Sequence, residues 1–167
     1  MDFIFILAAL VAVASTVMVI TRLNAIHALL YLITSLLAVA VIFYVLGAPF
    51  IAALEVIIYA GAIMVLFIFV VMMLNLGPHA EADERRLFTP GMLIGPGVLA
   101  LILFGLTLYA LVLPRAAAGT AMIPPEQVGV ALYGPYMIGV ELSSFLLLAG
   151  LVGAYHLARQ AIRGSSR

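Results

Sequence analysis

The chain has 167 residues, no net charge at pH 7, 67% hydrophobic side chains and only 8% charged ones. With a mean hydropathy of +1.35, too few polar groups exist to cover a water-facing surface, so the composition excludes a soluble domain and requires an integral membrane protein. The absence of cysteine excludes disulfides, thiolate-bound zinc and cysteine-ligated iron–sulfur clusters, and no glycine-rich nucleotide fingerprint or basic tract for nucleic acid is present.

Five apolar stretches are long enough to span a bilayer, about 3–21, 27–46, 50–75, 92–113 and 136–157, each near the roughly 20 residues that a hydrocarbon core needs. The first follows Asp2 rather than a basic segment and runs directly towards a second span, so a membrane helix is expected and not a cleaved leader. Thr21-Arg22-Leu23-Asn24 separates the first two spans. His27, at the start of the second, reads as an interface residue. Gly47-Ala48-Pro49 predicts a tight hairpin before the third span, because glycine and proline continue helices poorly.

The third span holds the most informative residues. Glu55 lies inside an apolar run, Tyr59 follows at i+4 on the same helical face, and Ala60-Gly61-Ala62 comes next. An acid within a membrane helix is costly unless it is near the interface, paired or protonated, and such acids usually mark a path for ions or protons. A phenol can donate to a carboxylate or pass a proton through a water, and Ala62 leaves room for one. Against this stands a structural acid favoured by the helix dipole. Gly61 reads first as a close-packing position, and second as part of a π-bulge around Tyr59 to Phe67. The spacing does not decide between the two.

A polar loop, 76–91, follows with Glu81, Asp83, Glu84, Arg85 and Arg86, then the fourth span, then a longer connection, 114–135, containing Pro124-Pro125. In the fifth span Glu141 starts a stripe with Ser144, Phe145 and Leu148, while Gly139, Ser143, Gly150 and Ala154 form a small-residue face suited to helix packing. Proton handling and a structural hydrogen bond weigh evenly for Glu141. His156 reads as an interface residue. Of the seven arginines, Arg22, Arg85, Arg86, Arg159, Arg163 and Arg167 fall on one side of a five-span arrangement and Arg115 on the other. The positive-inside rule then sets the C-terminus in the cytoplasm and the N-terminus outside, in the periplasm of a Gram-negative cell. Glu55 and Glu141 would each lie about five residues, roughly 7–8 Å, below the outer ends of their helices. The expected fold is all-α, a single membrane domain over 1–167 with five transmembrane helices.

Ala28-Leu29-Leu30-Tyr31-Leu32, the block from Gly47 through Gly77 and the block from Tyr133 through Arg159 resemble the subunit J family of bacterial proton-pumping NADH:quinone oxidoreductase, respiratory complex I. The resemblance covers all five spans. It implies a multi-pass subunit of the bacterial inner membrane, placed between the quinone-reducing arm and antiporter-like pump modules. Its neighbours would be the equivalents of subunits A, H, K and N, together with the lipid bilayer, with no nucleic acid. It also implies that FMN, iron–sulfur clusters and quinone sit in partner subunits and that this chain carries no redox cofactor and no metal. Glu55, Tyr59, Gly61, Val65 and Phe67 match the family's third helix, where a π-bulge is proposed to open and close a water path, and Glu141 matches the acid of its last helix. A purely structural scaffold in the same complex is the competing role. The homologous module of a cation antiporter or membrane-bound hydrogenase is another, and a self-contained transporter is disfavoured because no internal repeat is evident.

Overall fold

The computed structural model describes residues 2–74, 90–112 and 122–164, which form helices joined by short turns. Among the described residues five helices are long and apolar enough to cross a membrane. They separate into two compact units, Met1–Ile123 and Pro124–Arg167. Expectations for the polar loop with its three acids and two arginines, for Arg115 and for Arg167 lie outside the described residues.

In the first unit α1 spans Asp2–Thr21, α2 spans Ala25–Val45, α3 runs from Pro49 to Leu74 in three pieces, and α4 spans Pro90–Val112. The core is a three-helix seam. Ile4, Ala8 and Val11 of α1 recur at i, i+4 and i+7, and Ser15 continues the line. Ala38, Val41 and Val45 of α2 and Leu103, Leu106 and Ala110 of α4 complete it. Since lipid tails are as apolar as leucine, close approach rather than exclusion of water holds such helices together. Ala8 and Ala38 are fully buried and Ala110 nearly so; each lets two backbones come near.

Both ends of α2 are capped by identifiable chemistry. At its start the side chain of Asn24 accepts the backbone N–H of His27 at 3.1 Å, satisfying one of the four N–H groups that a helix leaves unpaired. At its end Gly47 takes φ = 88°, a left-handed conformation that side chains resist. The Gly47 N–H then reaches the Tyr44 carbonyl at 3.2 Å and the Ala48 N–H the Phe43 carbonyl at 3.0 Å, the bonding pattern of a Schellman stop. Pro49 begins α3 at a position where its missing N–H costs nothing. The Gly47 carbonyl accepts the Ile123 N–H at 2.9 Å, which ties this hairpin to the chain returning after α4. The predicted hairpin is therefore present, with a second strand of chain bonded to it.

In the second unit α5 spans Pro125–Tyr133 and α6 spans Met137–Gly164. The sequence expectation places 125–133 within a connecting loop; the structure forms a short helix there, with proline at its first position and Glu126 in its first turn. The last helix also continues past the apolar stretch, because Ala158, Gln160 and Ala161 are helix-compatible and no breaker precedes Gly164. None of its membrane-crossing window is buried within its own unit.

Candidate functional site

The third helix is not uniform. It is α over Pro49–Leu54, π over Glu55–Ile63 and α again over Met64–Leu74. The hydrogen bonds show the change of register: the Glu55 N–H reaches back to Ile51, four residues away, while the Met64 N–H reaches the Tyr59 carbonyl, five away. A π turn is rare, usually brief and frequent at functional sites. It starts at Glu55, earlier than the Tyr59 to Phe67 stretch suggested by sequence, and ends before Val65 and Phe67, which are α-helical.

Gly61 explains part of this placement. A methyl group built on its Cα would sit 3.1 Å from the carbonyl oxygen of Val56, the residue five positions back. That approach is closer than ordinary van der Waals contact, so the π register at this point suits a residue without a side chain. Glycine thus has a local reason here beyond packing against a neighbouring helix.

The helix touches the rest of its unit along a thin line. Ala52 and Met64 are its buried residues, and α2 is the helix it lies against. Within the π segment no residue is fully buried: Val56, Ile57, Ile58 and Tyr59 are exposed on this chain and Glu55 is half-buried. Val65 and Phe67 are exposed as well. Glu55 and Tyr59 remain on neighbouring faces, but the structure shows no hydrogen bond between their side chains, and the Glu55 carboxylate has no ion-pair partner among the described residues of this chain.

Beside the first part of α3 lies a cavity of about 470 Å³, lined by Ala40 and Tyr44 of α2, by Ala52, Ala53 and Val56 of α3, and by Phe104 of α4, among others. Its walls are mainly apolar, with small residues on α3 itself. Sequence reasoning does not reveal this cavity; the alanines at 52 and 53 are the only hint of it. Pro49, also on its wall, anchors one end.

Glu141 belongs to the second unit and lies one turn into α6. Its side chain is exposed there. Its backbone carbonyl accepts the Ser144 hydroxyl at 2.7 Å, and Ser143 bonds the Gly139 carbonyl at 2.8 Å; both hydroxyls are thereby satisfied within the helix and free of any task with the acid. The structure therefore brings Glu55, Tyr59 and Gly61 into one π segment, followed directly by Val65 and Phe67, and sets Glu141 in a separate unit. His27, expected as an interface residue, is in the first turn of α2 and packed inside the bundle. It is 8% exposed, its ring 5.0 Å from that of Tyr31. Among the described residues no group of three or more His, Asp or Glu side chains is arranged to hold a metal ion.

Residues 15–157 match the family described as NADH-ubiquinone/plastoquinone oxidoreductase chain 6. NADH-quinone oxidoreductase subunit J of Pseudomonas aeruginosa is 56% identical over 162 residues, covering 96% of this chain and 98% of that protein. Subunit J of Escherichia coli is 50% identical over 166 residues, covering 98% and 90% respectively. The corresponding subunit of Buchnera aphidicola from Schizaphis graminum is 48% identical over 161 residues, covering 96% and 99%.

Proposed function

The chain belongs to the NADH-ubiquinone/plastoquinone oxidoreductase chain 6 family, subunits J of a multi-subunit enzyme, and on that premise we propose that it couples quinone reduction to proton translocation without catalysing electron transfer itself. Electrons pass from NADH through FMN and iron–sulfur clusters to quinone in partner subunits. This chain supplies a membrane wall and a gate. The observation that carries the reading is the π segment Glu55–Ile63, which combines an acid, a phenol and a glycine in the one irregular stretch of a membrane-crossing helix.

The mechanism follows from helix geometry. Taking one residue out of the π register turns the remainder of the helix by about 100°. Val65 and Phe67, which follow directly, would then present different faces to a neighbouring subunit, and a water path along that face would open or close. Glu55 and Tyr59 order the water at the near side. The cavity against Ala52, Ala53 and Val56 supports the reading because it offers volume into which the Val56 side chain of a re-registered segment can move. Close packing otherwise resists such shifts.

In the complex the N-terminus lies in the periplasm and the C-terminus in the cytoplasm, by the arginine bias, in a multi-pass protein of the inner membrane. Equivalents of subunits A, H, K and N cover the exposed faces of α3 and α6, and Glu141 meets one of them. Replacing Gly61 with leucine in the assembled enzyme tests the gate: NADH oxidation by artificial acceptors stays intact while quinone reduction with pumping falls. Normal pumping by an assembled Gly61→Leu enzyme refutes it.

A scaffold role is the second reading, favoured by the long apolar window of α6, none of which is buried within its own unit. Under that reading Glu55→Ala and Glu141→Ala leave the number of protons pumped per electron unchanged wherever assembly is normal. Under the coupling reading that number falls.

A further inference from the structure

A polar stripe runs through the packed seam of the first unit, away from the π segment. On α2 the buried residues His27, Tyr31, Thr34 and Ser35 recur at helical spacing on one face and climb about 12 Å from the first turn. Ser15 and Thr16 of α1 meet the stripe at its far end: the hydroxyls of Thr16 and Ser35 lie 2.9 Å apart, and Ser35 also donates to the Ala12 carbonyl at 3.2 Å. At the near end the Arg22 guanidinium stands 5.6 Å above the Tyr31 ring, and the Tyr31 hydroxyl fills the space that a side chain at Gly95 of α4 would occupy.

Most polar atoms of the stripe are satisfied. Thr34 donates to the Leu30 carbonyl at 2.9 Å and Thr16 to the Ala12 carbonyl at 2.9 Å. Two are not: among the described residues Nε2 of His27 and the hydroxyl of Ser15 are buried without a hydrogen-bond partner, in residues that are 8% and 0% exposed. A buried polar atom left unpaired is costly, and lipid offers no hydrogen bond to relieve it. Water meets this need where a site is polar enough to hold it by two or more bonds. The hydroxyls of Tyr31, Thr34 and Ser35, each able to accept a further bond, make the stripe such a site.

We propose that the α1–α2 seam binds water at His27 and at Ser15, forming a hydrated pocket that starts beneath Arg22 and ends blind at the Thr16–Ser35 pair. It ends there because the next positions on the same face, Ala38, Val41 and Val45, belong to the apolar core. The pocket therefore holds water at one end of the seam without conducting it across. It stands independently of the gate on the third helix.

The test uses the whole complex. Radiolytic hydroxyl labelling read by mass spectrometry modifies buried side chains that touch bound water. After correction for intrinsic reactivity, His27 and Tyr31 are expected to label several-fold faster than the equally buried Val41 and Leu103. In a His27→Phe enzyme the Tyr31 rate drops towards that of the apolar core, and in His27→Gln, which keeps a polar atom, it holds. A density map of the unsubstituted complex that resolves ordered water provides a second measurement free of substitutions, with a water expected about 2.7–3.2 Å from Nε2. Tyr31 labelling at the rate of Val41 overturns the proposal. So does a lipid phosphate, or a side chain from a neighbouring subunit, bonded to Nε2.

Discussion

Substituting Gly61 with alanine and then valine grades the pressure on the π segment. The alanine methyl would begin 3.1 Å from the Val56 carbonyl oxygen, a few tenths of an ångström inside normal contact. In the α register the carbonyl five residues back is no longer beneath that carbon, so this contact is relieved. Overpacking of this kind costs about 1 kcal/mol at the mild end and 2 kcal/mol or more once γ-carbons are added. Those amounts shift the π-to-α ratio by roughly 5-fold for alanine and 30-fold for valine. The assay pairs quinone-linked proton pumping in membrane vesicles with electron flow to an artificial acceptor, which bypasses the membrane arm. Pumping should fall in the order glycine, alanine, valine while acceptor reduction stays level. A map of the valine enzyme should show the Met64 N–H bonded four residues back, to Ala60, in place of Tyr59. Retention of the π turn in the valine enzyme, or full pumping without it, refutes the reasoning.

Gly95→Val should block assembly, because its side chain collides with the Tyr31 hydroxyl; Tyr31→Phe removes that oxygen and should restore part of the assembled subunit on a native gel. Thr16→Ala and Ser35→Ala should each loosen the α1–α2 seam by about 1 kcal/mol, with the double substitution less than additive because they share one bond; thermal release of the subunit from the solubilised complex measures this. Gly47→Ala forces a side chain into positive φ at a cost of about 1–2 kcal/mol, and Gly47→Asn should cost less in the same thermal assay.

Much of this architecture is legible in the chain itself. The five spans follow from hydropathy because a bilayer enforces length and apolarity locally, one helix at a time. The Gly47-Ala48-Pro49 turn is legible for the same reason: its chemistry is contained in adjacent residues. The α5 helix is not, since nine residues flanked by prolines resemble a loop until neighbouring contacts are known. The π segment is half legible. Gly61 permits it, but the register is decided by which carbonyl lies beneath Gly61, and that depends on where the preceding α turns begin. The burial of His27 is not legible, since it depends on side chains such as Tyr31 that pack against it only in the folded bundle. The role of Glu141 is legible only as a residue type, since what it faces lies beyond this chain.

The bonded hairpin at Gly47 gives the third helix a fixed end. Pro49 is held in place, since the Schellman stop and the Ile123 hydrogen bond fix the backbone immediately before it. Torque released by tightening the coil at Glu55–Ile63 therefore has only one direction in which to travel, towards Leu74 and the stretch that follows. A rearrangement near one surface of the membrane would be delivered as rotation at the other, and the helix would serve as a crankshaft with its bearing at residue 47.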